Sequence, residues 1–241
     1  MNGNFLIKIK KTYKGFIKAI TIFCYMKVYY IYGVEYDSNI YLILGGNTTI
    51  IDCGTGLHSK YVADKIKEVI NPEIINQIIL THEHYDHCGG LKEIYNLTNG
   101  NAKIFAHTYA SNKIEKGDSY FARMLGGEMP KMHVDIKLEE KDKILIGDEN
   151  FTVLHTPGHT PGCVCLYSKD SKTIFSGDTV FSYGSFGRYD LPGGNVNNLK
   201  LSIERIAKLD VINLYPGHES VVEGDGKKHL LKTLENMRDL I

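Results

Sequence analysis

The chain has 241 residues and is 43% hydrophobic, so it can bury a substantial core as one large domain or two small ones. Its 28 Lys and Arg residues balance its 28 Asp and Glu residues, which gives a formal net charge of zero. This balance argues against a broad basic surface for nucleic acid or for an anionic membrane, although it leaves room for a local patch. The five cysteines are scattered and odd in number, which favours a reducing, cytoplasmic setting.

Residues 1–25 have a different pattern from the rest of the chain. Their lysines followed by AITIFCY partly resemble a signal peptide, but lysines interrupt the apolar stretch and no small-residue cleavage site follows. No apolar run approaches the ~20 residues that span a bilayer, so we expect no membrane segment. A strand-like pattern, VYYIYG, begins just after Met26. We therefore interpret residues 1–25 as an N-terminal extension or a misassigned start, and residues 26–241 as a single domain.

After Met26 the chain alternates strand-like and helix-like segments without a linker or an obvious repeat. Segments rich in Ile, Val, Tyr and Thr predict strands at 28–32, 39–44 and 48–52. The turn residues GGN at 45–47 predict a hairpin between the second and third of them. A helix is predicted from Ser59 to about Ile70, because its apolar residues fall on one face and Asn71-Pro72 follows.

The second half of the chain repeats this organisation. KILIGDENFTVLHT and CVCLYSKDSKTIFSGD each predict a strand, a turn and a strand, and VINLYPGH predicts a further strand with its loop. A C-terminal helix is predicted with four residues on its inward face: Leu230, Leu231, Leu234 and Met237. Polar clusters recur just after apolar strands, where loops on a rigid sheet present binding groups.

The stretch THEHYDHCGG at 81–90 carries the strongest chemical signal. It places His82, His84, Asp86 and His87 directly after the predicted strand 78–80. Imidazole nitrogen and carboxylate oxygen are ligands for divalent zinc, iron and manganese. A solvated polar loop is the alternative for this stretch alone, but crowding so many unpaired polar groups near a core is costly.

Further candidate ligands occupy similar positions after other predicted strands. They are His159 in TPGHTPG, Asp178 in FSGDTVF and His218 in LYPGHES. Each alone could be a turn residue, and a lone histidine is more often structural than a ligand. Together with the first cluster they predict a metal site built from several strand ends.

These four motifs, taken in order over roughly residues 28–222, resemble the metal motifs of the metallo-β-lactamase-fold hydrolases. The closest resemblance is to the glyoxalase II-like (hydroxyacylglutathione hydrolase-like) branch. It implies an α/β fold, an αββα sandwich of two mixed β-sheets flanked by helices, with the site along one edge. It also implies two divalent metal ions, with zinc expected and iron or manganese as alternatives.

The resemblance assigns a role to each matching residue. One metal would be bound by His82, His84 and His159, and a second by Asp86, His87 and His218. Asp178 would bridge the two. Asp52, in IDCG, matches the family's Asp-x-Gly strand end, where an outer carboxylate orients ligand imidazoles.

A site of this kind predicts hydrolysis of a small acyl substrate. Two metals can generate a metal-bound hydroxide at neutral pH and stabilise the developing oxyanion, with Asp86 and Asp178 fixing the water and the metals. No separate general acid is evident in the sequence. A thiolate leaving group, whose thiol pKa is near ~8.5, needs none, so a thioester is favoured over an amide. An ester or a lactone remains open.

The segment SFGRYDLPGG resembles a G-R-x-D-x-x-G segment of glyoxalase II-like and persulfide dioxygenase-like proteins. Arg188 could hold a substrate carboxylate, and an ion pair with Asp190 or a bond to a loop carbonyl is the structural alternative. A full-length glyoxalase II carries a helical C-terminal domain that grips glutathione. This chain has only GDGKKHLLKTLENMRDLI there, which puts glutathione specificity in question.

Two other activities fit the same motifs. A persulfide dioxygenase with a single iron is similar at His82, His159 and Asp178, and its second set of residues need not all be ligands. A nuclease of this fold is less expected, because the net charge is zero and no basic arm is present. The sequence does not define an oligomeric state.

Overall fold

The computed structural model describes residues 26–240. Its strands are β1 (Lys27–Ile31), β2 (Ile40–Leu44), β3 (Thr49–Ile51), β4 (Gln77–Ile79), β5 (Lys103–His107), β6 (Ile136–Leu138), β7 (Lys143–Ile146), β8 (Glu149–His155), β9 (Val164–Ser168), β10 (Thr173–Gly177) and β11 (Asn213–Pro216). Its helices are α1 (Ser59–Lys67), α2 (Tyr85–Cys88), α3 (Leu91–Leu97), α4 (Thr108–Lys116), α5 (Tyr120–Met124), α6 (Val196–Ile206) and α7 (Gly226–Leu240).

The strands form two mixed sheets. The first has the order β1-β2-β3-β4-β5-β6, with antiparallel pairing from β1 to β3 and parallel pairing from β3 to β6. The second has the order β11-β10-β9-β8-β7, in which β10 and β11 are parallel and the other pairs antiparallel. The prediction of two mixed sheets is therefore confirmed.

Three apolar layers hold the sheets and helices together. Between the sheets, residues such as Ile79 of the first and Phe175 of the second are fully buried in one cluster. The outer face of the first sheet packs on residues of α1 to α5, including Ile66 and Leu91. The outer face of the second packs on α6 and α7, including Ile203 and Leu230. The resulting order, helices, sheet, sheet, helices, confirms the predicted αββα sandwich.

The topology gathers the polar motifs at one edge of the sandwich. Parallel strands place their carboxyl ends together, and ligands bind just beyond such ends in open α/β sheets. The segments after β3, β4, β10 and β11 all lie at this edge. A hydrogen bond from the Val164 amide to the Thr81 carbonyl, 2.9 Å long, ties the second sheet to the first polar loop.

Two helical predictions differ from the structure in detail. The first helix ends at Lys67, before the predicted Ile70, because the amides of Val69 and Ile70 both bond to the Ile66 carbonyl and close the last turn. In α7, the prediction that Leu231 faces inward is wrong, since 49% of its surface is exposed. Leu231 lies about 100° around the helix from the buried Leu230, away from the packed stripe.

The interpretation of residues 1–25 as an extension concerns a segment outside the described residues and stays a prediction. Within residues 26–240, no helix is both long and apolar enough to cross a membrane.

The buried layer between the sheets predicts that a substitution there lowers the free energy of unfolding much more than a surface substitution does. Phe151 of β8 is fully buried, whereas Leu145 of the adjacent β7 is 43% exposed. We expect Phe151→Ala to lower the free energy of unfolding by about 3–5 kcal/mol, because it leaves a cavity between the sheets. Leu145→Ala should change it by no more than about 0.5 kcal/mol. Urea unfolding measures both; similar losses would contradict this packing.

Candidate metal centre

Three histidines form the first side-chain cluster at the sandwich edge. His82 and His84 come from the loop after β4, and His159 comes from the loop after β8. One ring nitrogen from each lies within 4.8 Å of the others. The closest approach joins His159 Nε2 and His84 Nδ1 at 2.8 Å. The structure therefore brings together the three residues predicted for one metal.

A second cluster lies beside the first. Asp86 and His87 belong to α2, Asp178 follows β10 and His218 follows β11. His218 Nε2 lies 3.0 Å from Asp86 Oδ2, and His87 Nε2 lies 3.5 Å from the same oxygen. One ligand atom from each of the four residues falls within 4.8 Å of the others. This is the set predicted for the second metal and its bridge.

The Asp178 carboxylate lies between the two clusters. Its Oδ2 is 3.4 Å from His159 Nε2 of the first cluster and 3.7 Å from His218 Nε2 of the second. Its Oδ1 is 3.2 Å from His87 Nε2. A carboxylate in this position can offer one oxygen to each of two neighbouring ions.

Three buried atoms of these clusters lack a partner. Among the described residues, His82 Nε2 has no hydrogen-bond partner, and His87 Nε2 and Asp178 Oδ1, although 3.2 Å apart, are not aligned for a hydrogen bond with each other or with another group. Burying polar atoms without partners is unfavourable, and most such atoms in folded proteins are paired. All three belong to the predicted ligand set, so divalent cations fit the donors that the fold brings together.

Burial and charge set the protonation of the two clusters differently. Burial, together with the neighbouring His159, lowers the pKa of His84 to about 3, and burial holds the pKa of His82 well below its usual value. Both imidazoles are therefore neutral, as ligation requires. Burial opposes ionisation of Asp178, but the imidazoles of His87 and His218 hold its pKa well below the usual range. Against the effect of burial, neighbouring carboxylates, Asp178 first among them, raise the pKa values of His87 and His218, so an ion bound at the second cluster would displace protons from these two rings.

Asp52 orients His87 through the ring nitrogen that faces away from the cluster. It is 1% exposed, and its Oδ2 accepts a 2.8 Å hydrogen bond from His87 Nδ1. The same carboxylate accepts bonds of 2.8 Å from the amide and the hydroxyl of Thr81. Because Nδ1 is engaged, His87 presents Nε2 to the cluster. This is the placement that the resemblance implied for an outer carboxylate.

Asn39 fixes the loop of His218 and was not predicted from the sequence. Its side-chain amide donates to the carbonyls of Pro216 at 3.1 Å and Glu219 at 2.9 Å, and its backbone amide donates to Gly217 at 2.7 Å. These bonds hold the loop on both sides of His218. The sequence offers no motif for this role, only a polar residue directly before an apolar strand.

Gly217 leaves room for the bridging carboxylate. A Cβ added at this position would lie 2.2 Å from Asp178 Oδ1 and 2.7 Å from His87 Cε1. Real Cβ atoms do not approach so closely, so any larger residue before His218 would displace the centre. This explains the glycine of the PGH motif.

Arg188 lies near the first cluster through its backbone. Its carbonyl oxygen accepts a 2.6 Å hydrogen bond from His159 Nδ1, which leaves His159 Nε2 facing the centre. Its guanidinium is 67% exposed and forms an ion pair with Asp190 at 2.8 Å. The structure thus contains the alternative ion pair, and a contact between Arg188 and substrate stays a proposal.

Over residues 33–218 the sequence matches the family described as the metallo-beta-lactamase superfamily. That span is most of the chain, and together with the αββα fold and the paired His/Asp clusters it means that the chain belongs to this superfamily. The predicted resemblance to metallo-β-lactamase-fold hydrolases is confirmed.

Curated relatives carry hydrolase names. A probable metallo-hydrolase of Methanocaldococcus jannaschii is 32% identical over 78% of this chain and 91% of its own length. The acyl-coenzyme A thioesterase MBLAC2 of Gallus gallus is 29% identical over 75% of this chain and 72% of its own. A hydroxyacylglutathione hydrolase of Bartonella tribocorum is 32% identical over 60% of this chain and 49% of its own.

Two solved structures share the fold with this chain over nearly their whole length. The BLEG-1 B3 metallo-beta-lactamase is 27% identical, with a TM-score of 0.72 over 84% of this chain and 96% of its own. TTHA1623, solved in a di-iron-bound form, is 30% identical, with a TM-score of 0.68 over 83% of this chain and 96% of its own.

The contacts of Asn39 predict that replacing it weakens zinc binding at the second cluster more than at the first. Asn39→Ala removes the side-chain donor to the Pro216 and Glu219 carbonyls, so that Pro216 keeps only the Tyr41 hydroxyl and the loop of His218 is held less firmly. We expect zinc affinity at the second cluster to fall about 10–100-fold and affinity at the first to change less. Calorimetric zinc titration of the folded protein measures both.

Asn47→Ala is the matched control, because Asn47 bonds to Gly147 through its backbone, away from the metal loops. Equal zinc affinities for wild type and Asn39→Ala, or the same loss in Asn47→Ala, would contradict the role given to Asn39.

Proposed function

We propose that this chain is a two-metal hydrolase that cleaves a small acyl thioester. The observation that carries the proposal is the position of Asp178, buried between two clusters that together supply five imidazoles and one further carboxylate. A single structural metal would need only one of these clusters. Two divalent ions bound there would lower the pKa of water to about 7 and polarise a carbonyl.

The residues of the chain have distinct roles in this proposal. His82, His84 and His159 would hold one ion, and Asp86, His87 and His218 would hold the other, with Asp178 available to both. The Asp86 side chain is 22% exposed, in contrast to the fully buried His87. It can therefore meet a water at the open side of the centre, accept its hydrogen bond and orient it toward the acyl carbon. Asp178 fixes the spacing of the two clusters.

The choice of a thioester rests on leaving-group chemistry and on the relatives. Expulsion of a thiolate needs no proton donor, because the thiol pKa is near ~8.5. The names of two relatives, an acyl-coenzyme A thioesterase and a hydroxyacylglutathione hydrolase, point to the same bond. The second aligns with this chain over 49% of its own length, so we do not extend the proposal to glutathione.

Asp178→Asn tests the bridging role. The amide keeps the size of the side chain but removes the charge that both clusters share. We expect kcat/KM for thioesters to fall more than about 100-fold, with weaker binding of the second metal ion. Thiol release measured with a chromogenic disulfide reports activity, and elemental analysis reports metal content.

Asp210→Asn is the control, because Asp210 is an exposed carboxylate that pairs with Lys172, away from the metal loops. Wild-type turnover by a metal-replete Asp178→Asn protein would refute the proposed mechanism.

A mononuclear iron persulfide dioxygenase is the second candidate. It is favoured by the first cluster, where three histidines and the nearby Asp178 suffice for one ion. The complete second cluster favours the hydrolase instead. We expect protein purified without added metal to hold two divalent ions per chain and to cleave thioesters without consuming oxygen. One iron per chain, with oxygen uptake on a persulfide, would support the dioxygenase.

A further inference from the structure

Helix α5 carries an apolar face that begins at the metal centre. The Phe121 ring meets the His84 ring edge-on, with centroids 4.8 Å apart, and the Tyr120 ring meets the Phe121 ring at 5.5 Å. Exposure rises along this series: His84 is 9% exposed, Phe121 is partly buried and Tyr120 is 51% exposed. Met124, one turn after Tyr120, is 63% exposed. A continuous apolar path therefore leads from a predicted ligand to the surface.

The helix is held in this position from its other side. Ala122 is 2% exposed, and its amide donates to the Ser119 hydroxyl at 3.2 Å. A Cβ on Gly127, just after the helix, would lie 2.1 Å from the hydroxyl of Tyr85 in α2. The segment that follows α5 therefore packs closely against α2, the helix that carries Asp86 and His87. The outward apolar side chains of α5 are placed by this packing.

Tyr120 and Met124 are four residues apart and share one helix face. Single exposed apolar residues are common and need no explanation, but these two continue a path from a reactive centre. Tyr120 and Met124 would be shielded from water by an apolar group of a ligand that extends from the metal centre along α5. The substrate has such a group if its acyl part is an aliphatic chain.

We propose that Phe121, Tyr120 and Met124 bind the aliphatic chain of an acyl thioester and so set the specificity of the enzyme. This inference rests on the proposed function, because it takes the reacting carbonyl to lie at the metal centre. A chain attached to that carbonyl passes Phe121 first and reaches Tyr120 and Met124 as it lengthens. Each methylene buried there raises kcat/KM by up to about fourfold.

The test uses thioesters of N-acetylcysteamine, which share one small thiol and differ in acyl length from acetyl to octanoyl. For the metal-replete wild type we expect kcat/KM to rise with chain length. In the double variant Tyr120→Ser/Met124→Ser, octanoyl turnover should fall at least tenfold while acetyl turnover changes less than twofold. Both positions are exposed, so folding is preserved; thermal unfolding checks this.

Leu201→Ser is the matched control, since Leu201 of α6 is 64% exposed and belongs to another face of the protein. Calorimetric binding of S-octyl-N-acetylcysteamine, a thioether that cannot be hydrolysed, gives a second readout. We expect the double variant to lose at least tenfold in affinity for it, and Leu201→Ser to lose none.

The outcomes separate the two proposals. If the wild type cleaves no thioester, the proposed function fails, and the thioether titration still decides whether α5 binds an aliphatic chain. If thioesters are cleaved but the chain-length profile and thioether affinity of the double variant match the wild type, the role of α5 is wrong.

Discussion

The buried carboxylate of Asp178 lies between two imidazole-rich clusters. The arrangement of this edge of the molecule depends on compensating its charge. Taking a carboxylate out of water is costly unless cations or donors surround it. Here His87 of α2 and His159 and His218 from two loops approach it. These three segments follow strands of both sheets, so the sandwich must close before the carboxylate is compensated. The centre is therefore a product of tertiary structure and not of any single motif.

Contacts behind the clusters keep the donors aimed inward. Asp52 engages one nitrogen of His87, and the Arg188 carbonyl engages one nitrogen of His159. Asn39 holds the loop of His218, and the Gly217 amide bonds to the Gly177 carbonyl at 2.8 Å, which joins the loops after β10 and β11. Preorganisation of this kind lowers the cost of binding metal, because the ligands already point at one another.

The sequence predicted the fold class and the clustered residues because the relevant information is local. His82, His84, Asp86 and His87 are within six positions, and the other candidates each follow an apolar strand. Parallel strand order then brings those strand ends together. Residues 28–32, 39–44 and 48–52 were likewise placed correctly as strands by composition and turn signals.

Other features depend on contacts between distant segments and leave no local pattern. Asn39 bonds to residues about 180 positions away, and the apolar path on α5 exists only because Phe121 meets His84. The exposure of Leu231 follows from which stripe of α7 packs on the second sheet. The ion pair of Arg188 with Asp190 was one of the alternatives, and only the side-chain geometry reveals that it forms; a contact of Arg188 with substrate stays a proposal.

The proposed mechanism requires two ions that share Asp178. Anomalous X-ray diffraction at the zinc edge, from crystals of the zinc-saturated protein, tests it directly. We expect two peaks about 3.5–4 Å apart, one on each side of the Asp178 carboxylate. A single peak at His82, His84 and His159, with no ion among Asp86, His87 and His218, would contradict it.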